Sequence, residues 1–327
     1  MSILLKSGDV RAQSKSVWKQ FRELWISNAT ENKKLIKGTM HEFEHMGIGK
    51  SCVFVAMGAS LEKNVETLKK YRDRVDIVCC DKAFSPLLEH GVKADYVVVA
   101  DAGIPYRFIE KHIQDTKDVT LFATPYSNPV WTKMWKGPVY FYVNQDAIGT
   151  EEVFRKIMGS EQRVIPASSN VSNAMIVLMT DCNEHRNANW SGYEKFFLLG
   201  YDYSWMGDGN YYAWENPKPK RYYLNHRTMP SHLKNKVIHS SENLIFSAKW
   251  LVSYVTTFKL PIYNCSDQGI LDLGSVCDLE TELKKINPSK NIQEFVRKAF
   301  DAWKDSFNAT KRCEVNFKYG REVLLWQ

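Results

Sequence analysis

Apolar residues are not spread evenly along the chain. From residue 52 they gather into short unbroken runs: 52–56, "VDIVCC" at 75–80, "ADYVVVA" at 94–100, "VTLFAT" at 119–124 and "PVYFYV" at 138–143. The runs are five to seven residues long, rich in Val, and do not alternate apolar with polar, as in strands buried on both faces. Between them the spacing shifts to three and four, predicting helices over 61–71, 83–90 and 105–114. Short connections join them. Strand and helix in alternation predict an α/β fold: a Rossmann-like, doubly wound, mostly parallel sheet. Ahead of it, 15–45 reads as helical, with Trp18, Phe21, Leu24 and Trp25 on one face. Beyond it, 170–180 reads as a helix, 194–202 as a strand, 240–258 as a helix capped by Ser, 260–266 as a short strand, and 278–313 as an amphipathic helix. Residues 203–236 are dense in Tyr, Trp, Gly, Asn and Pro and predict a long loop, a length that in a compact domain points to function. We therefore divide the chain into a helical N-terminal flank (1–48), a Rossmann-like domain (49–285) and a helical C-terminal flank (286–327).

Composition adds limits. At 327 residues and 44% hydrophobic, the chain has enough apolar mass for a full core and is not of a disordered class. No apolar run approaches the ~18–20 residues of a membrane span, and "MSILLKSGDVRAQSK" is too weakly apolar for a secretory signal. The expectation is a soluble, cytoplasmic protein. The seven cysteines (52, 79, 80, 182, 265, 277 and 313) are odd in number and form no CxxC, so we read them as reduced thiols. Cys182 and His185 make half a zinc site at best, and no metal site is assigned. The net charge of +7 is concentrated in 217–236, which holds six Lys or Arg, two His and no acid. That segment suits an anionic ligand or a solvated surface equally.

In open parallel sheets, ligands collect at the carboxyl ends of the strands. Polar residues stand at every such end here: Gly58-Ala59-Ser60-Leu61 after the first run, Asp81 after the second, Asp101 after the third, Thr124-Pro125-Tyr126 after the fourth. Asp202 and Tyr203 follow the strand at 194–202, and Asn264, Asp267 and Gly269 follow the last one. The Gly58 turn opens a helix, whose free N–H groups suit a phosphate. Ser60 either bonds such an oxyanion or merely caps the helix. Ser168-Ser169-Asn170 precedes another helix and has the same two readings. Asp81 and Asp101 suit ribose, base or metal, or simple capping. No Ser-His-Asp order, HExxH or diagnostic carboxylate pair is present.

In order, these turns resemble one family. "VFVAMGASLEKN" is similar to a strand ending in Gly-Pro-Ser-Leu. "DIVCCDKAFSPLLEHGVKADYVVVAD", "SSNVSNAM", "FFLLGYDYSW" and "PIYNCSDQGILDLGSVCDLETEL" resemble its later motifs. The family is the 6-hydroxymethylpterin diphosphokinase (MptE)-like group, which includes the motility-associated factor (Maf) flagellin glycosyltransferases. The resemblance spans residues 45–285. It implies a Rossmann-like fold and a nucleotide-derived substrate. One branch transfers diphosphate from ATP to a pterin alcohol with Mg²⁺. The other moves a CMP-activated nonulosonic (sialic, pseudaminic or legionaminic-type) acid to a hydroxyl acceptor. The diphosphokinase branch carries Thr-Asp-Leu-Asp-Gly after its third strand, where this chain has Val99-Ala100-Asp101-Ala102-Gly103. The departure favours the glycosyltransferase branch, which requires no cofactor. Ala59, Ser168, Ser169 and Tyr201 also depart from the family pattern and leave the substrate open.

The resulting expectation is a transferase. Gly58, Ala59, Ser60, Leu61, Asp81, Asp101, Ser168, Ser169 and Asn170 bind the nucleotide. Asp202, His226 or His232 is the general base. Tyr203, Tyr211, Tyr212, Asn264, Asp267 and Gly269 line the substrate side. The alternatives are the Mg²⁺-dependent, ATP-using pterin diphosphokinase and, from another class, a non-catalytic nucleotide- or nucleic-acid-binding module built on the basic aromatic segment.

Overall fold

The computed structural model describes residues 7–145, 149–166, 168, 170–180, 190–206, 212–214, 226–230 and 237–288. The apolar runs become strands β1 (Ser51–Val55), β2 (Val75–Cys80), β3 (Tyr96–Val99), β4 (Thr120–Ala123) and β5 (Val139–Asn144). β6 (Arg163–Ile165), β7 (Lys195–Leu199) and a later strand, Ile262–Asn264, complete one sheet of eight. Three short strands between β7 and that last one, β8 (Trp205–Met206), β9 (His226–Pro230) and β10 (Val237–Ser241), make a separate antiparallel sheet; Ile262–Asn264 is therefore β11.

The large sheet runs β11-β7-β1-β2-β3-β4-β5-β6, and every pairing in it is parallel. The chain thus winds outward from β1 to β6, then crosses back to place β7 on the other side of β1. That reversal at β1/β7 is a topological switch point, where the carboxyl ends of two strands diverge and leave a crevice.

The helices are α1 (Ser7–Asn32), α2 (Leu61–Lys70), α3 (Asp81–Glu89), α4 (Pro129–Met134), α5 (Thr150–Met158), α6 (Val171–Thr180), α7 (Glu242–Phe258) and α8 (Leu279–Lys284). α6 makes the return crossing over β1, β2 and β3. It is apolar on nearly all sides, as a helix inside the core must be. Met175, Ile176, Val177, Leu178 and Met179 are all fully buried. At ~2 kcal/mol each, their burial is worth on the order of 10 kcal/mol, enough to fix where the helix begins.

Three sequence expectations are corrected. The helix expected over 105–114 is a pair of 3₁₀ segments, Tyr106–Phe108 and Glu110–Asp118, with His112 non-helical between turns. The long loop expected over 203–236 holds β8 and β9, which pair with β10. The N-terminal helix ends at Asn32, with short 3₁₀ turns after it. Of the last expected helix, Leu279–Lys284 is helical, and residues from 289 on lie outside the described residues. The N-terminal flank is no separate appendage: Asn32 Nδ2 donates to the carbonyls of Pro125 and Ser127, each at 2.8 Å, locking α1 onto the turn after β4. Among the described residues no helix is long and apolar enough to cross a membrane. The described cysteines are free thiols; Cys52, Cys79, Cys80 and Cys265 are buried.

Candidate functional site

A cleft of about 440 Å³ lies along the carboxyl edge of the sheet. Its walls come from successive strand ends: Gly58 after β1, Asp81 and Lys82 after β2, Asp101 after β3, Tyr126 after β4, Asn144 closing β5, and Ser168 after β6. The start of α6 (Asn170, Val171, Ser172), the segment after β7 (Tyr201, Tyr203, Ser204), Tyr212 and Trp25 of α1 close it.

The α6 end is held firmly. The Asn170 side chain accepts from the Asn173 amide at 2.9 Å, capping the helix. Tyr201 donates to the Ser172 carbonyl at 2.8 Å and Tyr203 to Asn173 Oδ1 at 2.5 Å. Asn173 Nδ2 in turn donates to the Ser247 carbonyl on α7 at 3.1 Å. The positive end of α6 therefore points into the cleft on a rigid mount.

Asp81 is 3% exposed, yet borders the cleft. Burial pushes its carboxyl up to about 6; the Lys82 charge and amide oppose that rise and the Asp101 charge adds to it. Asp101 is exposed and accepts from the Gly103 amide at 2.8 Å. Lys82 Nζ donates to the Tyr212 hydroxyl at 3.2 Å and lies over the Tyr212 ring at 5.2 Å. The piece carrying Tyr212 is strapped down: the Ala213 amide donates to the Met57 carbonyl, and Trp214 stacks on His90 at 4.0 Å between ring centres.

The Gly58 turn is placed otherwise than the sequence suggests. Ser60 is fully buried and makes no cap bond. Its amide donates to Asp202 Oδ2 at 2.9 Å and its hydroxyl donates to Asp202 Oδ1. Gln268 Nε2 donates to Asp202 Oδ2 at 3.0 Å. The oxyanion held by this turn is the chain's own carboxylate. Asp202 is 1% exposed, and burial raises its pKa against the pull of Ser60 and Gln268. Gly58 serves the close approach of two turns: a Cβ there would sit 2.5 Å from the Gly200 carbonyl oxygen. Gly200, at φ +70°, would bring a Cβ within 2.3 Å of the Ala56 carbonyl oxygen.

Of the residues singled out by sequence, the cleft gathers Gly58, Asp81, Asp101, Ser168, Asn170, Tyr203 and Tyr212. It does not gather Ala59, Ser60, Leu61 or Asp202. Leu61 is core. Asn264 is buried, bonding the Leu271 carbonyl and the Ser266 amide. Asp267 pairs with Lys63 at 2.6 Å, and Gly269 packs on the Asp202 backbone. Ser169, Tyr211 and His232 lie outside the described residues, as do Cys182, His185 and most of the basic 217–236 segment. His226 opens β9 opposite Ser241, but its side chain is also outside them. Sequence reading missed Trp25 and Asn144 as cleft residues and gave Lys82, beside Asp81 at a strand end, no role. Trp25 stacks on Tyr126 at 4.4 Å between ring centres and 13° between planes. The signal for Asn144 was its place at the end of a predicted strand; for Trp25 there was none.

This fold has known relatives. It is similar to the structure of a MAf glycosyltransferase from Magnetospirillum magneticum AMB-1, with a TM-score of 0.61 at 17% identity over 84% of this chain. An uncharacterized protein of Treponema pallidum (strain Nichols) is 28% identical over 86 residues, 26% of this chain. The chain spans 41% of the length of each of these two proteins. A family model described as 6-hydroxymethylpterin diphosphokinase MptE-like matches residues 24–208, more than half of the sequence, and the chain belongs to that MptE-like family.

Proposed function

We propose that the protein is a transferase that uses a nucleotide-activated substrate in this cleft, and that the donor is a CMP-activated nonulosonic acid. The observation carrying this reading is that an anion receptor and two carboxylates share one cleft: the α6 N-terminus on one side, Asp81 and Asp101 on the other. A nucleoside monophosphate ester needs both, donors for its phosphate and acceptors for its ribose. In this reading Asn170 and the α6 amides, with Lys82, hold the phosphate. Lys82 is the one cation among the described residues of the cleft wall. These groups stabilise the charge that grows on the departing CMP. Asp101 orients the ribose. Asp81 takes the acceptor proton in place of Asp202, because its carboxyl, at about 6, is poised for proton transfer near neutral pH. Activity then rises with pH through about 6, where Asp81 loses its proton.

A second reading, the Mg²⁺-dependent diphosphokinase, is favoured by one observation. Asp81 and Asp101 line the same cleft, and the Asp101 charge acts on Asp81. Mg²⁺ needs only one or two carboxylates when substrate phosphates complete its shell, and the donor set fits it. Among the described residues, no group of three His, Cys, Asp or Glu gathers.

Calorimetric titration with CMP and with a non-hydrolysable ATP analogue, each with and without Mg²⁺, separates the two. Metal-independent CMP binding with the ATP analogue silent supports the first. Mg²⁺-dependent binding of the ATP analogue alone replaces it with the second.

A further inference from the structure

Among the described residues, one wall of the cleft carries buried polar atoms without a hydrogen-bond partner. On β5, Asn144 donates through Nδ2 to the Tyr126 hydroxyl at 3.2 Å, while its Oδ1 is buried without a partner. Turning the amide over exchanges the two atoms and leaves the other end unpaired. Across the β5–β6 edge, Ser168 Oγ is also buried without a partner, and both residues border the cleft. Two positions before Asn144, on the same face of β5, Tyr142 is fully buried with its hydroxyl unpaired. That hydroxyl is near enough to Tyr126 and Asp81 to feel both. Each such group pays its full desolvation cost if it stays unpaired. Native proteins keep few of them, and a cluster at a cleft wall marks a place where something else completes the bonds.

The chemistry of the wall limits what that is. Asn144, Ser168 and Tyr142 both donate and accept but carry no charge. Lys82, the cation among the described residues of the cleft wall, is on β2's side, and the charges that act on the Tyr142 hydroxyl are those of Tyr126 and the acid Asp81. An anion would gain nothing there and meet a carboxylate. A neutral group with several hydroxyl or amide functions fits. The Trp25–Tyr126 stack beside it offers an apolar face for the C–H side of a sugar ring.

Resting on the CMP-sugar reading above, we infer that Asn144 and Ser168, backed by Tyr142, form a subsite for the neutral, hydroxyl- and amide-bearing part of the transferred sugar, separate from the phosphate receptor at α6.

The test uses the full chain and two probes, CMP and CMP-N-acetylneuraminic acid, in calorimetry. The wild type should bind the sugar nucleotide more tightly than CMP. Asn144→Ala and Ser168→Ala should each lose about tenfold on the sugar nucleotide, roughly one hydrogen bond's worth, and leave CMP unchanged. An equal loss on both probes, or none on either, overturns the subsite while leaving the nucleotide reading intact. If the wild type binds neither probe, that reading fails by itself. Saturation-transfer NMR against free N-acetylneuraminic acid, N-acetylglucosamine and ribose then decides the subsite: a signal lost in Asn144→Ala retains it, and none overturns it. Independently, Tyr142→Phe removes an unpaired hydroxyl, so the ligand-free melting temperature should hold or rise. A fall would mean the hydroxyl is already satisfied, and the subsite loses its floor.

Discussion

Two helices start at the carboxyl edge of this sheet from small polar turns, and they are used in opposite ways. α2 begins at Ser60, whose amide and hydroxyl both serve the buried carboxylate of Asp202. α6 begins at Asn170, which caps its own helix and leaves the first turn facing the cleft. Both ends offer N–H groups and a positive dipole. What differs is whether the fold supplies the anion. At α2 the residue three past the end of neighbouring β7, Asp202, reaches across and fills the place. At α6 the neighbours are tyrosines, which bind the carbonyl and side-chain atoms of the first turn and bring no charge. A helix N-terminus is thus a receptor for whichever oxyanion is nearest, and in a closed fold that is often a side chain.

The sharpest way to break this comparison is to remove the internal anion. Asp202→Ala strands the buried Ser60 amide and hydroxyl and the half-buried Gln268 side-chain amide. At 1–3 kcal/mol for each unsatisfied group, the expected loss is on the order of 4 kcal/mol in urea unfolding, with little change in CMP affinity for the folded fraction. If Asp202→Asn instead abolishes turnover and leaves the unfolding midpoint where it was, Asp202 is the base and the latch is incidental.

Asp81 sharpens the other side. It is buried at the cleft without a full set of donors, and its carboxyl sits at about 6 against a usual value near 3.8. A folded pKa above the unfolded one means that stability is highest below about pH 4. It is then lost as pH rises towards 6, up to about 3 kcal/mol at neutral pH. Asp81→Asn should therefore raise stability at pH 7 by a sizeable part of that amount and flatten the pH dependence of unfolding between 4 and 6. Turnover should fall by two orders of magnitude or more if Asp81 is the base. A variant that is neither more stable nor less active would remove Asp81 from the site. A stabilising loss of function is the signature of a group kept for chemistry.

Much of the sheet could be read directly. The runs from β1 to β5 are buried on both faces, so their sequences are mostly apolar and do not alternate, and the pattern is strong. β6 was missed because it is three residues long, at the sheet edge, and starts with Arg163. α4 and α5 went unread between clearer elements, and "HRTMP" of β9, an edge strand paired with β10, shows no apolar–polar alternation. The site was legible as a set of strand ends, since topology alone brings those together. Its inner bonds were not. Ser60 and Asp202 are 142 residues apart, and no local pattern says that one fills the other's turn. Trp25 read as a core-facing position on a helix, and only the docking of α1 turns it towards Tyr126.

The smallest expected effects test the comparison most directly. Ser60→Ala removes one of three donors to Asp202 and should cost about 1 kcal/mol in stability, with CMP affinity unchanged. Asn170→Ala removes a helix cap and should cost a similar amount, about 1 kcal/mol. It should also weaken CMP several-fold, because the first turn of α6 no longer holds its N–H groups in place. Stability alone cannot separate the two variants; affinity can. Should Ser60→Ala lose CMP binding while Asn170→Ala keeps it, the phosphate belongs at the β1–α2 turn. Asp202 must then leave that turn when ligand arrives, and the internal carboxylate is a placeholder for the substrate's own.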